Sequence, residues 1–131
     1  MEFEVTFSGG LKVDANLGGM VIHTDQPAQA GGDNSAPAPY LLFLASIGTC
    51  AGFYVLQFCR TRNIPTDGIK VVQKVERDRA SGALTLVGLQ IQVPPSFPEK
   101  YHNALIKSAE HCAVKQAIQN PPRFDTTVKV V

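Results

Sequence analysis

The sequence predicts an α+β protein with antiparallel sheets, in the element order βββ-α-ββ-αα-β. Short segments that alternate apolar with polar residues occur near the N-terminus and again in the middle of the chain, and one long apolar segment separates them. Because strands and helices are segregated along the chain, antiparallel sheets are expected. The length of 131 residues, 44% of them hydrophobic, suits a single domain spanning 1–131.

The N-terminal part predicts three strands. Residues 2–8 alternate apolar with polar side chains, which is typical of a half-buried strand, and Gly9-Gly10 predicts a hairpin turn. Residues 11–17 and 19–25 predict two further strands. Residues 26–38 are rich in proline, glycine and asparagine and predict a loop.

A long apolar helix is predicted from about Ala38 to Arg62, with Pro39 in its first turn. About 20 apolar residues suffice to cross a bilayer, but both flanks are polar and the interior holds several small or hydroxyl residues, so we expect no membrane span. A helix that is apolar on all sides can be the buried centre of a protein. One chain of this length seldom covers such a helix, so we expect a homodimer.

The second half of the chain predicts a hairpin and two helices. Residues 69–78 and 84–93 flank a turn at Ser81-Gly82. Residues 99–120 are helical in pattern, with a break near His111, and residues 123–131 alternate as a last strand.

Several function classes lack their sequence signals. The formal net charge is +1 and the basic residues are scattered, so no nucleic-acid partner is expected. Phosphate-binding glycine loops, a serine-hydrolase elbow and zinc-ligand spacings are all missing, so we expect no metal and no cofactor. The N-terminal residues do not resemble a signal peptide, which favours a cytoplasmic location, where a disulfide would be transient and catalytic.

The three cysteines are the first candidates for chemistry. Cys50 and Cys59 are nine residues apart, which places them on opposite faces of one straight helix. Cys112 begins a separate helical segment and could gain thiolate character from that helix's N-terminus. Spacing alone leaves open whether Cys50 and Cys112 form a redox pair or are buried small hydrophobes.

Two motifs give the chain a family resemblance. The segment "GGDNSAPAPYLLFLASIGTC" resembles the signature of the OsmC/Ohr thiol peroxidases, and "KSAEHCAVKQAI" resembles that family's second cysteine motif. The resemblance implies an OsmC-like fold, an intertwined homodimer with paired long helices, and active sites near the dimer interface. It also implies that Cys50 is the peroxidatic cysteine, that Cys112 resolves its sulfenic acid to a disulfide, and that a dithiol restores the pair. Organic hydroperoxides are the implied substrates.

The chain departs from the family pattern at two positions. Family peroxidases carry an arginine in an early strand and a glutamate at the start of the long helix. Here Leu11 stands at the arginine position, and Tyr40 or Leu41 at the glutamate position. Lys12 is the nearest substitute cation and Asp33 a candidate acid, and without a cation we expect Cys50 to be mostly a neutral thiol.

Two functions therefore remain open. One is a thiol-dependent peroxidase whose substrate pocket involves Tyr40, Leu41, Leu11 and Lys12. The other is a catalytically degenerate OsmC-like scaffold that binds a small apolar or thiol ligand.

Overall fold

The computed structural model describes all 131 residues and has an α+β architecture of five strands and three helices. Residues 1–45 and residues 46–131 form two compact units, which are described separately. The predicted element order is confirmed up to the third helix. A single domain over 1–131 stays a prediction.

The first unit contains a three-stranded antiparallel sheet. Its strands are β1 (Glu4–Gly9), β2 (Lys12–Leu17) and β3 (Met20–Thr24), in the order β1-β2-β3. Gly9 and Gly10 have φ values of 116° and 56°, a left-handed region that other residues rarely enter. The predicted hairpin turn at this position is thus confirmed.

Strand β1 differs from its prediction in burial. All six of its residues are exposed, and Phe7 is 85% exposed. The alternation was expected to mark a half-buried strand, and this expectation is wrong for the single chain because no layer of the chain covers either face of β1.

The long helix is α1 (Pro39–Thr61), one residue shorter at each end than predicted. One stripe of it is buried, at positions that recur with helical spacing: Ile47, Ala51, Val55, Phe58 and Cys59. By length and composition α1 qualifies as a candidate membrane span, although core helices of soluble proteins pass the same test. Only 28% of its most apolar window is buried within the single chain.

The second unit packs a hairpin and two short helices around the buried stripe of α1. Strands β4 (Lys70–Arg77) and β5 (Leu84–Gln92) form an antiparallel pair. Helices α2 (His102–Ala109) and α3 (Ala113–Gln119) follow, and the predicted break near His111 is confirmed. Leu105 of α2 is 2% exposed within the resulting core.

The predicted last strand is absent. Residues 121–131 form no strand and are all exposed, including Phe124 at 86% and Val128 at 95%. The prediction over 123–131 is therefore wrong for the single chain. A strand exists only where its backbone pairs with a neighbour, and no segment of this chain pairs with these residues.

Candidate active site

The second unit brings two of the three cysteines together. Cys50 lies on α1 and is half-buried, and Cys112 is buried at the N-cap position of α3. The Cys112 thiol lies near the Cys50 sulfur, and each thiol shifts the pKa of the other. The Cys112 thiol also lies 3.9 Å from the backbone oxygen of Ile47, one turn before Cys50 on α1. Both thiols are free, so this is the reduced form of the pair.

The pKa of Cys50 is lowered from its ordinary value. The largest cause is a hydrogen bond from the backbone N–H of Val114, and the Cys112 thiol and the N–H of Ala113 act in the same direction. Partial burial opposes them by disfavouring the charged form. These backbone donors belong to the first turn of α3, where N–H groups have no partner inside the helix. They oppose the effect of burial, and the expectation that Cys50 is mostly a neutral thiol stays a prediction.

Cys112 shows the opposite shift. Burial raises the pKa of its thiol, and the neighbouring Cys50 adds to this effect. The N–H of Lys115 donates to its sulfur over 3.4 Å, as expected for an N-cap residue, but this bond is the weaker influence. The expectation that Cys112 gains thiolate character from α3 is thus wrong, because burial dominates at Cys112 and the first N–H groups of α3 donate to Cys50.

The two thiols consequently differ in acidity. Of the two, Cys50 forms the thiolate, the nucleophilic form of cysteine, more readily, because its pKa is lowered and that of Cys112 is raised. Such an arrangement suits an attack by Cys50 followed by a second step at Cys112.

Cys59 takes no part in this pair. It is completely buried in the core beside Val55 and Phe58, and burial raises the pKa of its thiol. No group of three His, Cys, Asp or Glu side chains lies close enough to hold a metal ion.

The first unit contains the candidate cation and acid. The Lys12 ammonium and the Asp33 carboxylate form an ion pair of 2.8 Å, and this hydrogen bond raises the pKa of Lys12. The ion pair joins the start of β2 to the loop before α1. The sequence predicts Lys12 and Asp33 only as separate candidates and does not predict that they pair.

A buried carboxylate fixes the loop that carries Asp33. Asp25 accepts hydrogen bonds from the backbone N–H groups of Gln26, Asp33 and Ser35 and from the Ser35 hydroxyl at 2.7 Å. These bonds lower the pKa of Asp25 to about 2, with the Ser35 hydroxyl as the largest cause. Asp25 was not singled out from the sequence, where one aspartate after a strand carries no distinguishing signal.

The remaining predicted pocket residues also lie in the first unit. Tyr40 and Leu41 are exposed in the first turn of α1, and the Tyr40 ring lies 5.7 Å from that of Phe43. Leu11 is exposed in the turn between β1 and β2. Their assignment to a pocket with Cys50, and that of Lys12, stays a prediction.

Comparisons with known proteins agree with this architecture. The family model described as "OsmC-like protein" matches residues 32–127, which contain both cysteines of the pair. The comparison with curated proteins finds no match.

Solved structures show the same fold at low sequence identity. A Psychrobacter arcticus 273-4 protein assigned to osmotic stress and detoxification responses has a TM-score of 0.72 and 21% identity, covering 88% of this chain and 85% of its own. The organic hydroperoxide resistance protein OsmC of Legionella pneumophila has a TM-score of 0.56 and 18% identity, covering 91% and 90%. The organic hydroperoxide resistance protein OhrB of Bacillus subtilis has a TM-score of 0.54 and 21% identity, covering 92% and 93%. With a family model that matches most of its length, this chain belongs to the OsmC-like protein family.

Proposed function

We propose that the protein is a thiol-dependent peroxidase that reduces organic hydroperoxides, with Cys50 as the peroxidatic and Cys112 as the resolving cysteine. The observation that carries the proposal is the proximity of Cys50 and Cys112, in a pair in which the pKa of Cys50 is lowered and that of Cys112 is raised. Two structural neighbours are described as organic hydroperoxide resistance proteins, which supports the choice of substrate class.

The reaction balances with these two residues and one external dithiol. The Cys50 thiolate attacks one oxygen of the peroxide, the O–O bond breaks, and an alkoxide leaves and takes a proton to become an alcohol. Cys50 is thereby oxidised to a sulfenic acid. The Cys112 sulfur then attacks the Cys50 sulfur, water leaves, and a disulfide forms. A dithiol reductant exchanges with this disulfide and returns both thiols.

Lys12 is the proposed replacement for the cation that this chain lacks at Leu11. It is held by Asp33 in a short ion pair, as an arginine would be held by a glutamate in the family pattern. In this proposal Tyr40, Leu41 and Leu11 form the apolar wall that accepts the organic part of the peroxide.

We also propose a homodimer in the cytoplasm. The support is the amount of apolar surface that the single chain leaves open, on α1 at Phe53 and Leu56 and in the first unit at Phe3 and Phe7. Exposed apolar patches of this kind mark interaction sites. A reducing compartment suits a protein whose three cysteines are free thiols.

A second candidate function is a binding scaffold without peroxidase activity. The specific observation in its favour is that Leu11 and Tyr40 or Leu41 occupy the positions of the family's arginine and glutamate. A structural neighbour from Vibrio cholerae is described with captopril bound in one of its active sites, so a pocket of this fold accepts small molecules other than a peroxide.

The deciding experiment is peroxide consumption with dithiothreitol as the reductant. Wild type, Cys50→Ser and Cys112→Ser are compared on cumene hydroperoxide and hydrogen peroxide, with Cys59→Ser as the matched control. Turnover that requires Cys50 and survives in Cys59→Ser supports the peroxidase. Folded wild type with free thiols and no turnover on either peroxide would establish the scaffold instead.

A further inference from the structure

A large apolar cavity lies in the second unit, next to the two thiols but not lined by them. Its volume is about 680 Å³, within the range of small-molecule sites. Strand β5 lines one side with Val87, Leu89 and Ile91, and α1 contributes Ile47 and Ala51. Neither Cys50 nor Cys112 lines it, so the cavity is a different site from the proposed peroxide pocket.

Lys115 is the one cation of a mostly aliphatic lining, whose other polar residues are Gln90, Glu110 and Gln119. Lys115 belongs to α3 and is half-buried, and no carboxylate lies within 4.0 Å of its ammonium group. Glu110 is the one acidic residue of the lining, and it is exposed at the end of α2 without an ion pair to Lys115. A half-buried ammonium beside aliphatic walls is complementary to a molecule with an anionic head and an apolar chain.

The cavity also adjoins the thiol pair through two of its lining residues. The backbone oxygen of Ile47 contacts the Cys112 thiol, and the backbone N–H of Lys115 donates to the Cys112 sulfur. A molecule in the cavity would therefore contact two residues whose backbone atoms contact Cys112.

We propose that this cavity is a binding site for an aliphatic monocarboxylate, whose chain lies against β5 and α1 and whose carboxylate pairs with Lys115. The ligand is not the peroxide substrate, and the inference goes beyond the proposed function because it requires no turnover. Burial of the aliphatic chain against the apolar walls supplies affinity, and the ion pair supplies selectivity for an acid.

The test is calorimetric titration of the folded protein with sodium octanoate and with 1-octanol. We expect wild type to bind octanoate more tightly than octanol. Lys115→Met keeps the apolar stem and removes the charge, so octanoate affinity should fall about fivefold while octanol affinity changes less than about twofold. Lys107→Met, on α2 outside the cavity, is the matched control and should bind both like wild type.

A second pair of variants tests the location independently of charge. Val87→Phe should fill part of the cavity and abolish binding of both compounds, and Leu86→Phe, on the other face of β5, should not. Absence of octanoate binding to wild type, equal binding of octanol and octanoate, or equal effects of Lys115→Met and Lys107→Met would each overturn the proposal. Each of these results leaves the peroxidase assay unaffected, so the two proposals fail separately.

Discussion

The acidity of Cys50 can be changed at one backbone atom, the N–H of Ala113. This group occupies the first helical position of α3 and is one of the donors that lower the pKa of Cys50. Proline is favoured at this position because its fixed φ suits the first turn and no N–H is needed there. Cys112 already has φ −57° and ψ 116°, an extended conformation that a following proline requires. Ala113→Pro should thus remove the donor and leave α3 folded.

The size of the effect follows from the strength of one such bond. A hydrogen bond to a charged group contributes about 1.5–3 kcal/mol, and Ala113 makes the smallest of the contributions that lower the pKa of Cys50, so the lower end of this range is an upper bound. About 1.4 kcal/mol corresponds to a tenfold change in an ionisation constant. Below the pKa of Cys50, Ala113→Pro should therefore contain less thiolate than wild type, by up to about tenfold, and the two should converge at high pH.

The assay is the pH dependence of Cys50 alkylation by iodoacetamide, with the modified cysteine identified by peptide mass spectrometry. Ala113→Gly retains the N–H and is the matched control, for which the pH midpoint should stay within a few tenths of a unit of wild type. An unchanged midpoint in Ala113→Pro, with α3 intact by circular dichroism, would refute the assignment of this N–H as a thiolate donor. The same shift in both variants would refute it equally.

Three further outcomes are expected. Cys59→Ser places a hydroxyl in a fully buried position and should lower the free energy of unfolding by about 1–3 kcal/mol, yet leave peroxide consumption per folded molecule unchanged. Leu105→Ala should cost about 2–5 kcal/mol in urea denaturation, and a loss well below that range would contradict its placement in the core. The pKa of Asp25 is depressed from 3.8 to about 2, so its ionised form contributes stability that is complete above pH 4 and disappears as the pH falls towards 2. Asp25→Asn should accordingly lower the melting temperature at pH 7, and the difference from wild type should shrink steadily between pH 4 and pH 2.

The local sequence pattern was sufficient to predict the helices and the turns. The prediction of helix α1 required only its apolar run, Pro39 at its start and the residues after Thr61 that disfavour a helix. The hairpin turn after β4 is formed by two local features. Gly82 has a φ of +70°, and the Asp78 carboxylate accepts hydrogen bonds from the Ser81 N–H and hydroxyl. Such features depend on residues close in sequence, which is why they were predicted correctly.

The site was only partly predictable because the groups that shift the pKa of Cys50 are distant from it in the sequence. Cys50 and Cys112 were identified by resemblance, but the donors that make Cys50 acidic are backbone N–H groups about 60 residues later in the chain. Backbone groups have no sequence signature, so a search for a charged side chain could not find them. The Lys12–Asp33 pair was missed for a related reason, since the loop conformation that presents Asp33 depends on four hydrogen bonds to Asp25.

Burial was the least predictable property. The alternation of residues 2–8 and of 123–131 describes strands with one apolar face, but the single chain covers neither. A pattern of apolar residues indicates that one face of a strand is buried, but it does not identify the element or the chain that covers this face. Both segments where prediction and structure disagree carry exposed apolar side chains, and the proposed homodimer would account for that surface.

Cys112 serves both as the proposed resolving thiol and as the N-cap of α3. Its sulfur accepts the N–H of Lys115, so the start of the helix depends on the same atom that would form the disulfide. A sulfur bonded to Cys50 must satisfy the geometry of that bond first, and the cap would weaken when the disulfide forms. Hydrogen exchange at the Lys115 amide would then report the oxidation state of the pair, with faster exchange in the oxidised protein, and α3 would act as an indicator of redox state that needs no added probe.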